Sequence, residues 1–263
     1  MDANSLLIVE DSFVQAKIIR KQFEAFTNFN TIIAHSMAET QEAVDQYQDQ
    51  IFAAVVDRNL PDAPDGEAVD IFLTNKIPCV VLTASFDEKL RQNFIEKRVA
   101  DYFLKGSIND LDPLIACVER LHANYRVKAL VVDDSATQRA IVQRLLSVQC
   151  ITALQAADGV EALEVIESEP GIRLVITDFE MPRLNGIELV QEIRTRFRLS
   201  SMGIIGVSSL GSGTLTAKFL KHGANDFLTK PFEAEEFYWR VNQTLNILDV
   251  MEELKALRRP PAE

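Results

Sequence analysis

The chain is short of cysteine, histidine, basic residues and long apolar runs, and each shortage removes a class of function. Its three cysteines, Cys79, Cys117 and Cys150, are scattered and odd in number. That fits small core side chains in a reducing cytosol rather than a disulfide framework. The three histidines, His35, His122 and His222, show no metal-binding spacing. Lys and Arg number 27 against 39 Asp and Glu, a formal charge of −12, and a non-specific nucleic-acid binder needs a basic face. No stretch approaches the roughly 18 apolar residues of a membrane span. The N-terminal MDANSLLIVED is acidic, with only a short apolar run, unlike a signal peptide. Together these features point to a cytoplasmic protein.

What is present is a duplication. The set Glu10-Asp11, Asp57, Thr83 and Lys105 returns in the same order as Asp133-Asp134, Asp178, Ser208 and Lys230, each counterpart following 121 to 125 residues later. A length of 263 residues and an apolar fraction of 47% allow two domains with real cores. The boundaries are set at 1–124 and 125–245, with 246–263 a helical extension or linker. No Gly/Ser- or Pro-rich linker separates the copies, so a constrained arrangement is expected.

Every member of the set follows a short apolar run: LLIV, AAVV, CVVL and DYFL in the first copy, ALVV, LVIT, IIGV and DFLT in the second. Between these runs lie helical patterns, in the first copy over 13–26, 38–47, 67–75, 88–98 and 111–122. Runs apolar on both faces, alternating with helices, predict an α/β fold: two five-stranded, doubly wound parallel sheets in tandem. Ligands of such sheets bind beyond the carboxyl ends of the strands, where all of these polar residues fall.

Glu10, Asp11 and Asp57 would then share one pocket, as would Asp133, Asp134 and Asp178. Three close carboxylates repel unless neutralised, and a hard divalent cation, Mg²⁺ above all, is their natural partner. Asp11 and Asp134 can also act as helix caps, a role Ser12 and Ser135 could share. Lys105 and Lys230 on the same rim can pair with the acids or hold an added anion. Thr83 and Ser208 offer a hydroxyl to that anion. Carboxylate, cation, lysine and hydroxyl together suit transfer of a phosphoryl group onto an aspartate.

The segments LLIVEDS, AAVVDRNLPDAPDG, CVVLTAS and DYFLKGS, with ALVVDDS, LVITDFEMPRLNG, IIGVSS and DFLTKPF, resemble the receiver domains of bacterial two-component response regulators. The resemblance covers residues 4–245. It implies that Asp57 and Asp178 accept phosphate from a histidine kinase or phosphotransfer protein. It implies one Mg²⁺ per domain, held by Asp11 with Asp57 and by Asp134 with Asp178. The carbonyls of Asn59 and Glu180 would complete each set, and Glu10 and Asp133 would help through water. Thr83 and Ser208 would turn toward the phosphoryl group. Tyr102 and Phe227 fall at the family's aromatic switch position, where packing under the neighbouring helix is the plainer role. Self-phosphorylation with Mg²⁺ and slow acyl-phosphate hydrolysis would be the only chemistry of these domains.

The copies differ. The second has Lys230-Pro231, often a cis pair in the family, and the first has Lys105-Gly106, where a trans bond is expected. The second carries Asp226, Glu236 and Arg240, which resemble a homodimer face, although an exposed ion pair explains them as well. The first has Leu111 and Ile115 at the corresponding steps, which suits a covered face. After residue 245 the helical pattern continues, with Ile247, Met251, Leu254 and Leu257 on one stripe and a stop expected at Pro260-Pro261. Tandem receivers with such a helix resemble regulators whose output is a diguanylate cyclase. No GGDEF or GGEEF segment occurs in these 263 residues. A receiver-only adaptor working by phosphorylation-dependent contact is the alternative. A phosphatase of another aspartyl-phosphate family would want an acid at residue 59, where Asn stands.

Overall fold

The computed structural model describes residues 3–85, 87–105, 111–210 and 213–257. The chain divides into two compact units, Met1–Ala123 and Asn124–Glu263.

In the first unit, strands β1 (Ser5–Val9), β2 (Asn30–Ala34), β3 (Ile51–Asp57), β4 (Cys79–Thr83) and β5 (Asp101–Leu104) alternate with helices. These are α1 (Phe13–Phe26), α2 (Met37–Tyr47), α3 (Ala68–Thr74), α4 (Glu88–Lys97) and α5 (Asp112–Asn124). The sheet is parallel throughout, in the order β2-β1-β3-β4-β5. Its inner strands β1, β3 and β4 are buried along their whole length, which is why they read as unbroken apolar runs. Edge strand β2 is half-buried.

The second unit repeats this with β6 (Lys128–Val132), β7 (Thr152–Ala156), β8 (Ile172–Asp178), β9 (Gly203–Ser208) and β10 (Asp226–Thr229). Its helices are α6 (Ala136–Val148), α7 (Gly159–Ser168), α8 (Gly186–Arg196), α9 (Gly213–Lys221) and α10 (Ala234–Leu257). The order β10-β9-β8-β6-β7 is the same topology read from the other edge. Both units thus have the flavodoxin-like arrangement expected from the alternating pattern, with the ligand crevice beyond the carboxyl ends of the central strands.

Local signals mark the helix starts. Ser12, Ser36 and Ser135 cap α1, α2 and α6 through their hydroxyls. Asn185 and Glu188 form a capping box at α8. Helix α4 ends on Arg98 in the left-handed region, φ 60°. Residues 246–257 continue α10 without a break, as the helical pattern past residue 245 implies. Phe237, Val241, Leu245 and Leu248 of α10 lie in the core of the second unit, and Arg173 Nη1 holds Asp249 at 2.8 Å. Ile247, Met251, Leu254 and Leu257 are exposed. Pro260-Pro261 lies outside the described residues.

Candidate phosphoacceptor sites

The polar set gathers where the topology places it. Asp57 and Asp178 are the last residues of β3 and β8, and Thr83 and Ser208 the last of β4 and β9. Glu10, Lys105, Asp133 and Lys230 each follow directly on a strand.

In the first unit Lys105 Nζ donates to Glu10 Oε2 at 2.8 Å and to Asp57 Oδ2 at 2.5 Å. Glu10 and Asp57 are 1% and 3% exposed, so this ammonium is the counter-charge for two acids removed from water. Asp11 is exposed, and its carboxylate with those of Glu10 and Asp57 forms a group whose ligand oxygens all lie within 4.8 Å of one another. The helix that follows is capped by Ser12, whose hydroxyl accepts from Gln15 N at 3.4 Å. The all-oxygen donor set suits a hard cation such as Mg²⁺. The N–H of Asn59 donates to Asp57 Oδ1 at 3.1 Å, and Thr83 Oγ1 donates to the carbonyl of Ser85 at 2.8 Å.

The second unit reproduces the lysine clamp. Lys230 Nζ donates to Asp133 Oδ2 and Asp178 Oδ1, both at 2.7 Å. Glu180 N donates to Asp178 Oδ2 at 2.8 Å, and Leu210 N donates to Ser208 Oγ at 3.0 Å. Ser135 caps α6. Among the described residues, Glu10, Asp11 and Asp57 are the one such cluster of acids. Asp133, Asp134 and Asp178 have the right chemistry without that convergence, and Asp134 is exposed.

Burial raises the carboxyls of Glu10 and Asp178 above their ordinary range, against the pull of the lysines. Burial alone would lower Lys105 and Lys230, but their bonds to the paired acids and the acids' charge outweigh it, and both are raised. Each site therefore keeps its lysine charged.

Phe227 is buried against Phe219, ring centroids 5.3 Å apart. Tyr102 is half-buried, 5.4 Å from the ring of Phe94. Arg240 Nη1 reaches Asp226 at 2.9 Å and Nη2 reaches Glu236 at 3.2 Å, so these three charges are joined within one chain. Leu111 and Ile115 are buried. The Lys230-Pro231 bond is cis. Gly106 lies outside the described residues, so the geometry of its bond to Lys105 does too.

Three further contacts support the sites. His35 Nδ1 lies 2.8 Å from the carbonyl of Glu10, which no histidine spacing signals. Asp62 and Arg183, in the loops after Asp57 and Asp178, each reach the start of the second helix of their own unit, α2 or α7. Their equal distance from the two aspartates was the available sign.

The fold and the lysine-bridged acids define a receiver domain, and the comparisons agree. The model of the response regulator receiver domain matches residues 129–242. The chain is 37% identical over 107 residues to chemotaxis protein CheY1 of Helicobacter pylori, covering 40% of this chain and 86% of that protein. It is 34% identical over 107 residues to the two-component response regulator ORR5 of Oryza sativa subsp. japonica, covering 41% and 80%. A solved two-component system response regulator/GGDEF domain protein superposes with a TM-score of 0.85 at 37% identity, covering 94% of this chain and 99% of that one. The chain belongs to the response regulator receiver family and carries the receiver fold twice in tandem.

Proposed function

We propose that both receivers are phosphorylated, the first at Asp57 and the second at Asp178, by a histidine kinase or phosphotransfer protein. The observation that carries this is the lysine set against the terminal aspartate in both units, 2.5 Å in one and 2.7 Å in the other. A carboxylate oxygen of the aspartate forms the new P–O bond as the donor's P–N bond breaks, and the bonding pair stays on the donor imidazole. Lys105 and Lys230 hold a fixed positive charge beside the incoming phosphoryl oxygens. Thr83 and Ser208 give up their loop bonds to donate to it.

Mg²⁺ bound in each unit would neutralise charge on the transferred group. Glu10, Asp11, Asp57 and the carbonyl of Asn59 would hold it in the first unit, and Asp133, Asp134, Asp178 and the carbonyl of Glu180 in the second. Tyr102 and Phe227 would pass the change to the helix surface as each domain shifts between two states. The second unit would then dimerise through Asp226, Glu236 and Arg240, exchanging contacts now made within the chain for contacts with a second copy. The output would be a diguanylate cyclase, as the GGDEF regulator of the same architecture suggests, and the module would work in the cytoplasm. Among the described residues no helix is long and apolar enough to cross a membrane.

The test is chemical. Incubation with a small-molecule phosphoryl donor and Mg²⁺, then borohydride reduction of the acyl phosphate, converts a phosphorylated aspartate to homoserine. Homoserine is expected at positions 57 and 178; label confined to other residues overturns the assignment.

A further inference from the structure

Five residues after each terminal aspartate stands a charged side chain, and the two are opposite in sign: Asp62 and Arg183. Both reach the same place in the fold, the start of the second helix of their own unit. Asp62 accepts from Met37 N at 2.8 Å and Ala38 N at 3.2 Å, while Ser36 Oγ takes Glu39 N at 3.1 Å. In the second unit the helix brings its own acid. Asp158 Oδ1 accepts from Val160 N at 2.9 Å and Glu161 N at 3.1 Å. Arg183 Nε then donates to Asp158 Oδ2 at 2.8 Å, and Nη2 pairs with the same oxygen. A helix start presents unsatisfied N–H groups and partial positive charge. An acid from the loop, or a local acid answered by a base from the loop, closes the same gap.

These contacts pin the loops that leave the phosphoacceptors. Asp62 lies in a turn closed by mutual backbone bonds between Leu60 and Ala63 at 3.2 and 3.1 Å. That turn begins one residue after Asn59, whose N–H is fixed on Asp57. Arg183 has φ 66°, a left-handed backbone that a non-glycine residue keeps only when surrounding contacts enforce it. It stands three residues after Glu180, whose N–H is fixed on Asp178. Beside Asp158, a Cβ on Gly159 would come within 2.7 Å of the Leu184 carbonyl, so loop and helix are already in close contact.

We infer that Asp62 and Arg183 are positioning residues: each latches its phosphoacceptor loop to the second helix, with the charge sense reversed between the two receivers. The inference rests on the reading that Asn59 and Glu180 offer their carbonyls to Mg²⁺. Neither latch residue touches the cation; each fixes the loop that would. Partners that orient metal ligands from outside change affinity by about tenfold or more when removed.

Mg²⁺ titration by calorimetry on the full chain tests this, with Asp178→Ala as the parent to read the first unit and Asp57→Ala to read the second. Asp62→Arg is expected to weaken Mg²⁺ binding in the first unit about tenfold. Adding Ser36→Asp recreates the acid–arginine pair of the second unit and is expected to restore affinity to within about twofold. Asp65→Arg makes the same change of charge in the same loop and controls for long-range electrostatics. In the second unit Arg183→Ala should weaken binding as Asp62→Arg does in the first. Equal effects of Asp62→Arg and Asp65→Arg, or no recovery with Ser36→Asp, overturn the latch. Should Asp62→Arg unfold the first unit, Asp62→Asn carries the test, and unchanged affinity there overturns it as well. A parent that binds no Mg²⁺ contradicts the underlying functional reading instead.

Discussion

Lys105 Nζ lies 2.5 Å from Asp57 Oδ2, inside a site where Asp57 is 3% exposed. The lysine is thus the counter-ion of the proposed phosphoacceptor. Removing it leaves Asp57 and Glu10 as unpaired, buried neighbours. Lys105→Met is expected to lower the stability of the first unit by roughly 3 kcal/mol without Mg²⁺, and Mg²⁺ should recover a large part of that. Urea unfolding with and without Mg²⁺ measures both effects; equal loss under the two conditions goes against the pairing described.

Gly186 approaches Asp178 so closely that a Cβ would sit 2.2 Å from its carbonyl oxygen. Gly186→Ala must displace β8 or α8, at a cost of about 1–3 kcal/mol. Phosphorylation should fall at Asp178 and persist at Asp57. Site-resolved mass spectrometry checks this, and equal loss at both sites would contradict it.

Alkaline pH should weaken the fold from about pH 9 upward. Burial pushes the Cys79 thiol up to about 12 from an ordinary 9.0, and Cys150 to about 12 as well. A group whose folded pKa lies above its unfolded value binds more protons in the native state, so its contribution is intact below the unfolded pKa and is lost as pH rises through the folded one. Lys105 and Lys230, raised from 10.5 by their paired acids, act in the same direction at higher pH. Unfolding free energy should fall between pH 9 and 12, less steeply in Cys79→Ala. Iodoacetamide should modify Cys79 only on unfolding.

Arg240 is 34% exposed and joins Asp226 and Glu236 within the chain. Surface pairs contribute little, so Arg240→Glu should cost at most about 1 kcal/mol. Its effect on association should be larger: sedimentation with a phosphate analogue is expected to show dimer for the parent and monomer for the variant. A dimer unchanged by Arg240→Glu rejects this face.

Much of this was legible in the residues. Buried parallel strands announce themselves as apolar runs because both faces are covered, and the gathering of the polar set at the strand ends follows from the topology. Lys105 and Lys230 were readable because the duplication fixed their spacing. The Asp62 and Arg183 contacts were not, since they depend on where a loop of irregular backbone meets a helix some 25 residues away in sequence. The continuation past residue 245 was legible as well, because the helical pattern runs on and α10 extends unbroken to Leu257. Leu245 and Leu248 are core residues of the same helix whose Ile247 is exposed, and one continuous 3.6-residue period serves both faces.

The two receivers are proposed to accept phosphate independently of one another. Titration with the phosphate analogue beryllofluoride and Mg²⁺, on the parent, Asp57→Ala, Asp178→Ala and the double variant, tests it most directly. Two bound equivalents are expected in the parent, one in each single variant and none in the double. A single variant that binds none, or a double variant that still binds, would contradict it.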